Sequence, residues 1–546
     1  MRHFYCFLFL SLYALNSYAQ PASWAWSTSI GGNTNFQHYM DIDVDDQGNT
    51  YLISEYTGTR NFGSFSLTAS ANNQAYAAKM DPAGNVLWVK ALGYPLKNSN
   101  AAGIVVADGG VYVSGLYYNY IEIDSILLSG PGQTDIFLAK LDTATGTCQW
   151  LVGAGGLYQD KPVDMDRAIG GGIVMTGHFR GTAIFGNDTV VNPSNFNNYS
   201  FVARYLDDGS CSWVKSITST NSVELFGVAQ SRNGQIAVTG AFLTNATFST
   251  SPIVSVSAGA TADVVTAKFD STGNALWAKS GGGNGSDSGQ GVGIDDDGNV
   301  YVIGNINGQC NFSGLTVSDN GAGNVLLIKY SATGTPVWAK SEGGNQFDSG
   351  IKISTDHGGS SYITGIFTNV ASFGGNNLSG TNDVFVAKYS PTGLIRWAAK
   401  AGGSTSYDQG IAIVADSAGV CYLAGTYFGT GVFGSNSFNA PASEWANFIG
   451  EISGGTVGLE QIIDNGTFAI YPNPSNDVLN VRSDNDHSFI TGISIFGMDG
   501  KLVWQDQYSN GSVLFKTIDV SSLAGGVYQV RIDTEMSSVS GRFVKE

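Results

Sequence analysis

Positive charge, cysteine and histidine are all scarce in this chain, and each shortage excludes a class of function. Its 26 Lys and Arg face 44 Asp and Glu, for a net charge of −18. Nucleic-acid binding needs clustered cations against phosphate, so this balance argues against it and against an anionic membrane surface. The charge itself reads as a solubility device. Five cysteines in 546 residues are too few for the fold to depend on disulfides. Cys6 lies in an apolar N-terminal stretch, and Cys148, Cys211, Cys310 and Cys421 form no CxxC or Cys/His pattern of the zinc type. Beyond that N-terminal stretch no segment reaches the ~18 consecutive apolar residues of a membrane span.

Histidine is thinly scattered. His38, His178, His357 and His487 are far apart, and neither HExxH nor GxSxG occurs. Charged residues of all kinds make up 13% of the chain, where about 25% is usual. What replaces them is glycine, 73 residues, together with many Val, Ile, Tyr, Phe and Thr. That mixture suits short strands joined by tight turns. A hydrophobic fraction of 42% is enough for a large folded core.

The first residues read as a secretory signal. Arg2 and His3 precede an apolar stretch from Phe4 to Leu15, and Ser17-Tyr18-Ala19 fits the small-x-small cleavage pattern. The signal peptide is therefore expected to span 1–19.

The body is repetitive. Trp26, Trp88, Trp150, Trp213, Trp277, Trp338 and Trp397 are spaced by 62, 62, 63, 64, 61 and 59 residues. Each period holds four strand-like runs, here called a to d. In one period these are GVGID (291–295), VYVIG (300–304), VVTAK of the preceding c type (264–268) and the run with the tryptophan. Links a–b and c–d are short and rich in Asp, Asn and Gly, as hairpin turns require. Four antiparallel strands per repeat of about 60 residues match a propeller blade. Trp26 begins with a d-type run that has no a, b or c before it. Ile411, Tyr422 and Phe448 mark a, b and c runs with no tryptophan run after them. Together they make a seventh blade, and that overlap closes a ring. The expected fold is all-β: a seven-bladed β-propeller over 20–453, a linker over 454–467, and a small β-sandwich over 468–546.

Recurring residues follow from blade geometry. Gly115, Gly177, Gly240, Gly304, Gly365 and Gly425 end the b runs, where a side chain would obstruct close packing. Lys79, Lys140, Arg204, Lys268, Lys329 and Lys388 share one place on run c, which Glu451 takes in the last unit. A cationic row suggests a binding channel, but run c is not innermost, so these stems are expected to lie across a blade edge and pair locally.

The elements GN(V/A)LWAK, the DDDGNVYVIG hairpin and the VFVAK strand resemble the bacterial β-propeller repeats of the SBBP type over about residues 22–455. The resemblance implies architecture, since that group has no single common activity. The C-terminal segment carries Tyr471-Pro472-Asn473-Pro474, Leu479-Asn480-Val481, Gly500-Lys501, Ile518-Asp519-Val520, Gly526-Val527-Tyr528 and Lys545. These resemble the type A C-terminal sorting domain of the type IX secretion system of Bacteroidetes. The resemblance implies that the secretion machinery is a partner, that the chain crosses the outer membrane, and that it is released or attached at the cell surface.

Candidate chemistry is sparse. Asp160, Asp287, Asp348 and Asp408 recur in the d–a link, where a propeller would bring them to the channel rim. They read either as a cation or sugar site or as loop-capping carboxylates, and their repetition favours capping, because catalysis needs an asymmetric pair. Asp41 to Asp46 and Asp295 to Asp297 lack the full calcium-loop spacing and are placed in a–b turns. Links d–a and b–c emerge on one face, and the b–c links are long. Phe36, Tyr158, Phe347 and Tyr407 on the d–a links therefore join the four aspartates as candidate ligand-face residues. No catalytic residue, cofactor or metal is expected. The expected role is a non-enzymatic glycan- or protein-binding propeller, with a secreted carbohydrate hydrolase or lyase using channel-rim carboxylates as the alternative.

Overall fold

The computed structural model describes residues 22–33, 39–69, 73–94, 96–248, 251–254, 261–403, 407–416, 419–440, 444–454, 461–463, 468–471, 475, 477–483, 490–497, 501–507, 515–534 and 538–545. The expected signal peptide lies outside them. Every regular element among the described residues is a β-strand.

The fifth unit shows the plan of the body. Its four strands, Ser288–Ile294, Val300–Ile306, Asn324–Tyr330 and Pro336–Gly344, pair antiparallel in sequence order. The a strand carries a bulge between Gly289 and Gly291. The bulge pushes a carbonyl of the a strand against the end of strand b. A Cβ on Gly304 would lie 2.0 Å from the Ser288 carbonyl oxygen, and Gly115, Gly177, Gly240, Gly365 and Gly425 meet the same obstacle. Glycine there is a steric requirement of the bulge.

The last sheet is built from both ends of the repeat region. Strand Gln409–Ala415 pairs with Cys421–Phe428, which pairs with Trp445–Gly454, which pairs with Ala22–Asn33. Trp26 lies opposite Glu451, as Trp88 lies opposite Lys79. The hydrophobic core is divided into clusters that each span two neighbouring units. One of them joins Ile42 and Leu52 of the first unit to Ile411, Tyr422 and Ile449 of the last. The two ends of the repeat region are therefore held by hydrogen-bonded strands and by a shared core.

Trp88, Trp150, Trp213, Trp277 and Trp338 each donate to a turn carbonyl of the next unit. Trp277 donates its indole N–H to the Ala332 carbonyl at 3.1 Å, and Trp338 donates to the Pro391 carbonyl at 3.1 Å. In the first, fourth and fifth units the lysine opposite the tryptophan uses the same acceptor: Lys79 reaches Thr143 at 3.1 Å, Lys268 reaches Ala332 at 3.0 Å, and Lys329 reaches Pro391 at 3.2 Å. Gly334, in the accepting turn, has φ +82°, and its missing Cβ would lie 2.7 Å from the Trp277 ring. Only glycine combines that conformation with that approach. The lysine stems also cross tyrosine faces, with Lys79, Lys140, Lys329 and Lys388 each about 5 Å from a ring centre. Lys79, Lys140, Lys268 and Lys329 thus bond the adjacent unit, whereas Arg204 donates to the Ile169 carbonyl of its own unit.

The b–c links differ from the expected long loops. Each folds into a small hairpin, such as Thr182–Phe185 with Asp188–Val191. In four units the first strand of that hairpin extends the d strand of the unit before it, as in Ala154↔Phe185 and Gly344↔Ala371. Otherwise exposed outer edges gain ladder hydrogen bonds. One aromatic or aliphatic side chain per hairpin is buried at the junction: Phe62, Ile123, Phe185, Phe248, Phe312, Phe373 and Phe433.

Two four-stranded sheets form the C-terminal sandwich, around Ile470, Leu479, Val481, Ile493, Ile495, Val530, Ile532 and Phe543. Strand Gln461–Ile463 pairs with Phe468–Tyr471, so part of the expected linker belongs to the sandwich.

Phe312 is fully buried where a hairpin meets the preceding unit. Truncating it to alanine is expected to cost about 3–5 kcal/mol. Urea unfolding of the Phe312→Ala variant measures this, and a loss below about 1 kcal/mol would show that the hairpins do not brace the ring.

Candidate functional site

The four recurring aspartates are structural caps. Asp160, Asp287, Asp348 and Asp408 are at most 1% exposed. Asp348 accepts the Gly344 N–H at 2.6 Å and the Thr368 N–H at 2.9 Å. Asp408 accepts from Gly403 and Phe428, Asp287 from Gly283 and Asn307, and Asp160 from Gly156 and Arg180. Each carboxylate thus ties the end of the preceding d strand to the exit of its own unit's b strand. Burial pushes the Asp160 and Asp408 carboxyls up to about 7, and it raises those of Asp287 and Asp348. Each of the four is buried and accepts two backbone N–H groups, as a loop-capping carboxylate does.

The aromatics beside them behave differently. Phe347 and Tyr407 directly precede two of these caps and are 52% and 56% exposed. Tyr158, two residues before Asp160, is half-buried. Leu157, beside Tyr158, and Leu96, on another d–a link, are exposed as well. Phe36 lies outside the described residues. The d–a and b–c face therefore carries outward apolar side chains on links whose backbone is pinned from beneath.

The central channel holds a constellation that sequence reading missed. Asp41, Gly103, Asp164, Gly227, Gly291, Lys352 and Ala412 occupy one register position on the seven a strands. Four are small, which leaves room for the other three to meet across the axis. Lys352 Nζ lies 2.6 Å from Asp164 Oδ1 and 3.4 Å from Asp41 Oδ1, joining the sixth unit to the third and the first. Arg167 reaches Asp43 at 3.2 Å. The outer oxygens of the carboxylates accept N–H groups from the open edge of the next a strand: Asp41 from Ile104, Asp43 from Val106, Asp164 from Val228 and Asp166 from Gln230. Asp164 and Lys352 directly follow the a-strand bulge, which alters the direction in which they project. Asp41 and Asp43 belong to the strand Asp41–Val44 and not to the a–b turn expected for them. Asp45 does occupy the turn, accepting the N–H groups of Gln47 and Asn49. Asp295 likewise caps its own turn through Asn299.

Four carboxylates and two cations share this channel. Burial pushes Asp41 up to about 7 and Asp166 up to about 6, and it raises Asp43. For Lys352 burial opposes the charge, but Asp164 and Asp41 outweigh it and raise its pKa. The missed signal was asymmetry: repeating positions hold small residues in most units and charges in only a few.

A cavity of about 840 Å³ opens on the a–b and c–d face, opposite to the one expected to bind. Turns of the first three units line it, including Asp46, Asp108, Arg167, Gly170 and Asp207. His178 is buried, donating its Nε2–H to the Leu225 carbonyl at 3.0 Å, and its pKa is pushed down to about 4, chiefly by burial. His357 stands on the surface beside Asp296 and Arg232. Cys148, Cys211, Cys310 and Cys421 are free thiols. Among the described residues no three His, Cys, Asp or Glu are grouped to hold a metal ion.

In the sandwich, Tyr471 lies under Arg482 and Tyr528 stacks on Phe543. Lys545 bridges to Ser475, and Lys501 accepts the Gly497 N–H through its carbonyl. Gly526 starts the strand Gly526–Thr534. Pro472, Asn473, Pro474 and Gly500 lie outside the described residues.

Comparison with known proteins gives two family matches. Residues 469–546 match the secretion system C-terminal sorting domain, and residues 281–312 match the beta-propeller repeat. No curated protein matches the chain. Among solved structures it is similar to YCF48 bound to D1 peptide, at 8% identity and a TM-score of 0.38, covering 79% of this chain and 97% of the other. It is similar to a chain of a mitotic checkpoint complex at 11% identity and a TM-score of 0.41, covering 82% and 98%. It is also similar to a quinohemoprotein alcohol dehydrogenase from Comamonas testosteroni at 10% identity and a TM-score of 0.34, covering 81% and 78%.

Two outcomes test the channel. Lys352→Met strands Asp41 and Asp164 together and is expected to cost about 3 kcal/mol. The triple variant that also carries Asp41→Asn and Asp164→Asn is expected to regain most of that loss in thermal unfolding. The second concerns pH. A carboxyl whose folded pKa is raised binds its proton more tightly when folded, so its stabilisation is complete below the unfolded value near 4 and is lost as pH rises through about 7. Asp41→Asn is expected to flatten the fall in Tm between pH 4 and pH 7 (pKa values near 4 and 7). An unchanged slope would count against the assignment.

Proposed function

Starting from a C-terminal sorting domain that directs export across the outer membrane, to the cell surface or the extracellular space, we propose that the β-propeller is a non-enzymatic recognition module for a glycan or protein ligand. The observation that carries this reading is the exposure of Phe347 and Tyr407 on links fixed by the buried Asp348 and Asp408. An aromatic held on a rigid backbone loses little conformational entropy when it is covered, which favours its use in binding. Under this reading the chain is a signal peptide over 1–19, a binding ring over 20–453 and a sorting sandwich after the linker, with the secretion machinery as partner of the sandwich alone.

The competing hydrolase or lyase reading draws less support. Each channel carboxylate already accepts a backbone N–H of the next a strand, and Asp41, Asp43 and Asp164 also face a cation. A general acid and base for glycoside cleavage need two carboxyl groups free to face one substrate.

The test applies the mature full chain to arrays of immobilised polysaccharides and extracellular proteins. The expected result is retention on at least one ligand, weakened about tenfold by Phe347→Ala with Tyr407→Ala. Turnover of a retained glycan that is abolished by a single channel Asp→Asn change would instead establish the enzymatic reading.

A further inference from the structure

Repetition separates scaffold from site in this molecule. A residue that recurs in every unit is explained by blade geometry, so a ligand site is sought where one unit departs from the rest. Among the units whose return is described throughout, the third departs most clearly in the return from its outer hairpin to strand c. The fifth unit makes this return through 319–323, and in the sixth the chain runs on as one strand, Asn376–Tyr389. The third unit inserts Asn192-Pro193-Ser194-Asn195-Phe196-Asn197-Asn198.

This insertion is rigidly built. Asn192 is 2% exposed, and its Nδ2 donates to the Asn197 carbonyl at 2.9 Å and to the Phe179 carbonyl at 3.3 Å. Its Oδ1 accepts the Ser194 N–H, and Ser194 Oγ accepts the N–H groups of Phe196 and Asn197. On top of this framework Phe196 is 86% exposed. A folded chain gains nothing internally by holding an aromatic ring in water on a fixed turn.

Phe196 has suitable neighbours. Gly181 has φ +64°, and a Cβ there would lie 2.5 Å from the Tyr158 ring and 3.4 Å from the Asn195 carboxamide oxygen. The Tyr158 ring and the carboxamide of Asn195, the residue before Phe196, therefore both lie beside Gly181. Leu157, beside Tyr158, is exposed. Arg180 donates through Nε to Asn198 Oδ1 at 2.6 Å, at the end of the same insertion.

We infer that Tyr158, Phe196, Asn195 and Arg180 form a saccharide-stacking subsite at the junction of the second and third units. A pyranose presents a C–H face to an aromatic ring and hydroxyls at its rim to amide and guanidinium groups. The ligand is a neutral sugar. Asn198, which accepts from Arg180, donates through Nδ2 to the carboxylate of Glu224, and an anionic glycan would meet an acidic chain. The inference rests on the recognition reading above and deepens it to a ligand class and a place.

The experiment titrates the mature full chain with cello-, manno-, xylo- and laminari-hexaose by calorimetry. Binding of at least one is expected, weakened about tenfold by Phe196→Ala and retained by Phe196→Trp. Equal Tm values for wild type and Phe196→Ala exclude a folding effect. Saccharide binding that survives Phe196→Ala overturns this site and leaves the broader reading standing. Binding only to proteins on the arrays does the same. Failure of the wild type on both oligosaccharides and arrays removes the broader reading as well.

Discussion

Contact between one unit and the turn of the next is the constraint on which the rest of the structure depends. A four-stranded sheet has two faces, and in a ring both must be covered by neighbours. Here the covering is directional. A tryptophan and the lysine opposite it donate to one carbonyl of the following unit, at a turn where glycine makes room for the indole. The outer hairpin returns the contact from the other side by pairing with the previous d strand. The buried aspartate of the d–a link then fixes the junction.

This arrangement explains where regularity breaks. In the last unit the chain ends replace the c–d turn, so Trp397 has no such turn to cap and is instead buried within the cluster shared by the sixth and seventh units. Glu451 replaces the usual lysine and accepts the Trp26 indole N–H at 3.1 Å. The indole there is satisfied within its own sheet, by a side chain where other units use a backbone carbonyl. One substitution in the repeat thus marks the place where the two ends meet.

Once the repeated positions are assigned to the scaffold, few features are left to carry function. The channel struts bind three units across the axis, and the Phe196 turn adorns a single junction. Both are asymmetric, and both sit on backbone that repeated residues hold in place: the bulged a strands in one case, the hairpin and the Asp160 cap in the other. A rigid symmetrical frame carrying unsymmetrical additions suits recognition, since binding groups held in position need little ordering when a ligand arrives.

The tryptophan period, the four runs per unit, the borrowed d strand and the sorting segment were all legible in the amino-acid order, because each is written as a local pattern of strand and turn residues. The bulge glycines were legible for the same reason. Buried Asp160, Asp287, Asp348 and Asp408 could be found but not placed, since their partners are backbone N–H groups some 20 residues away in sequence. The b–c links looked like loops because four-residue strands leave too short an alternation to be told from a loop. The meeting of Lys352 with Asp164, 188 residues apart, was decided only by the tertiary structure. Contacts across a channel depend on which residues in distant units are small enough to let the others through, and no local pattern records that.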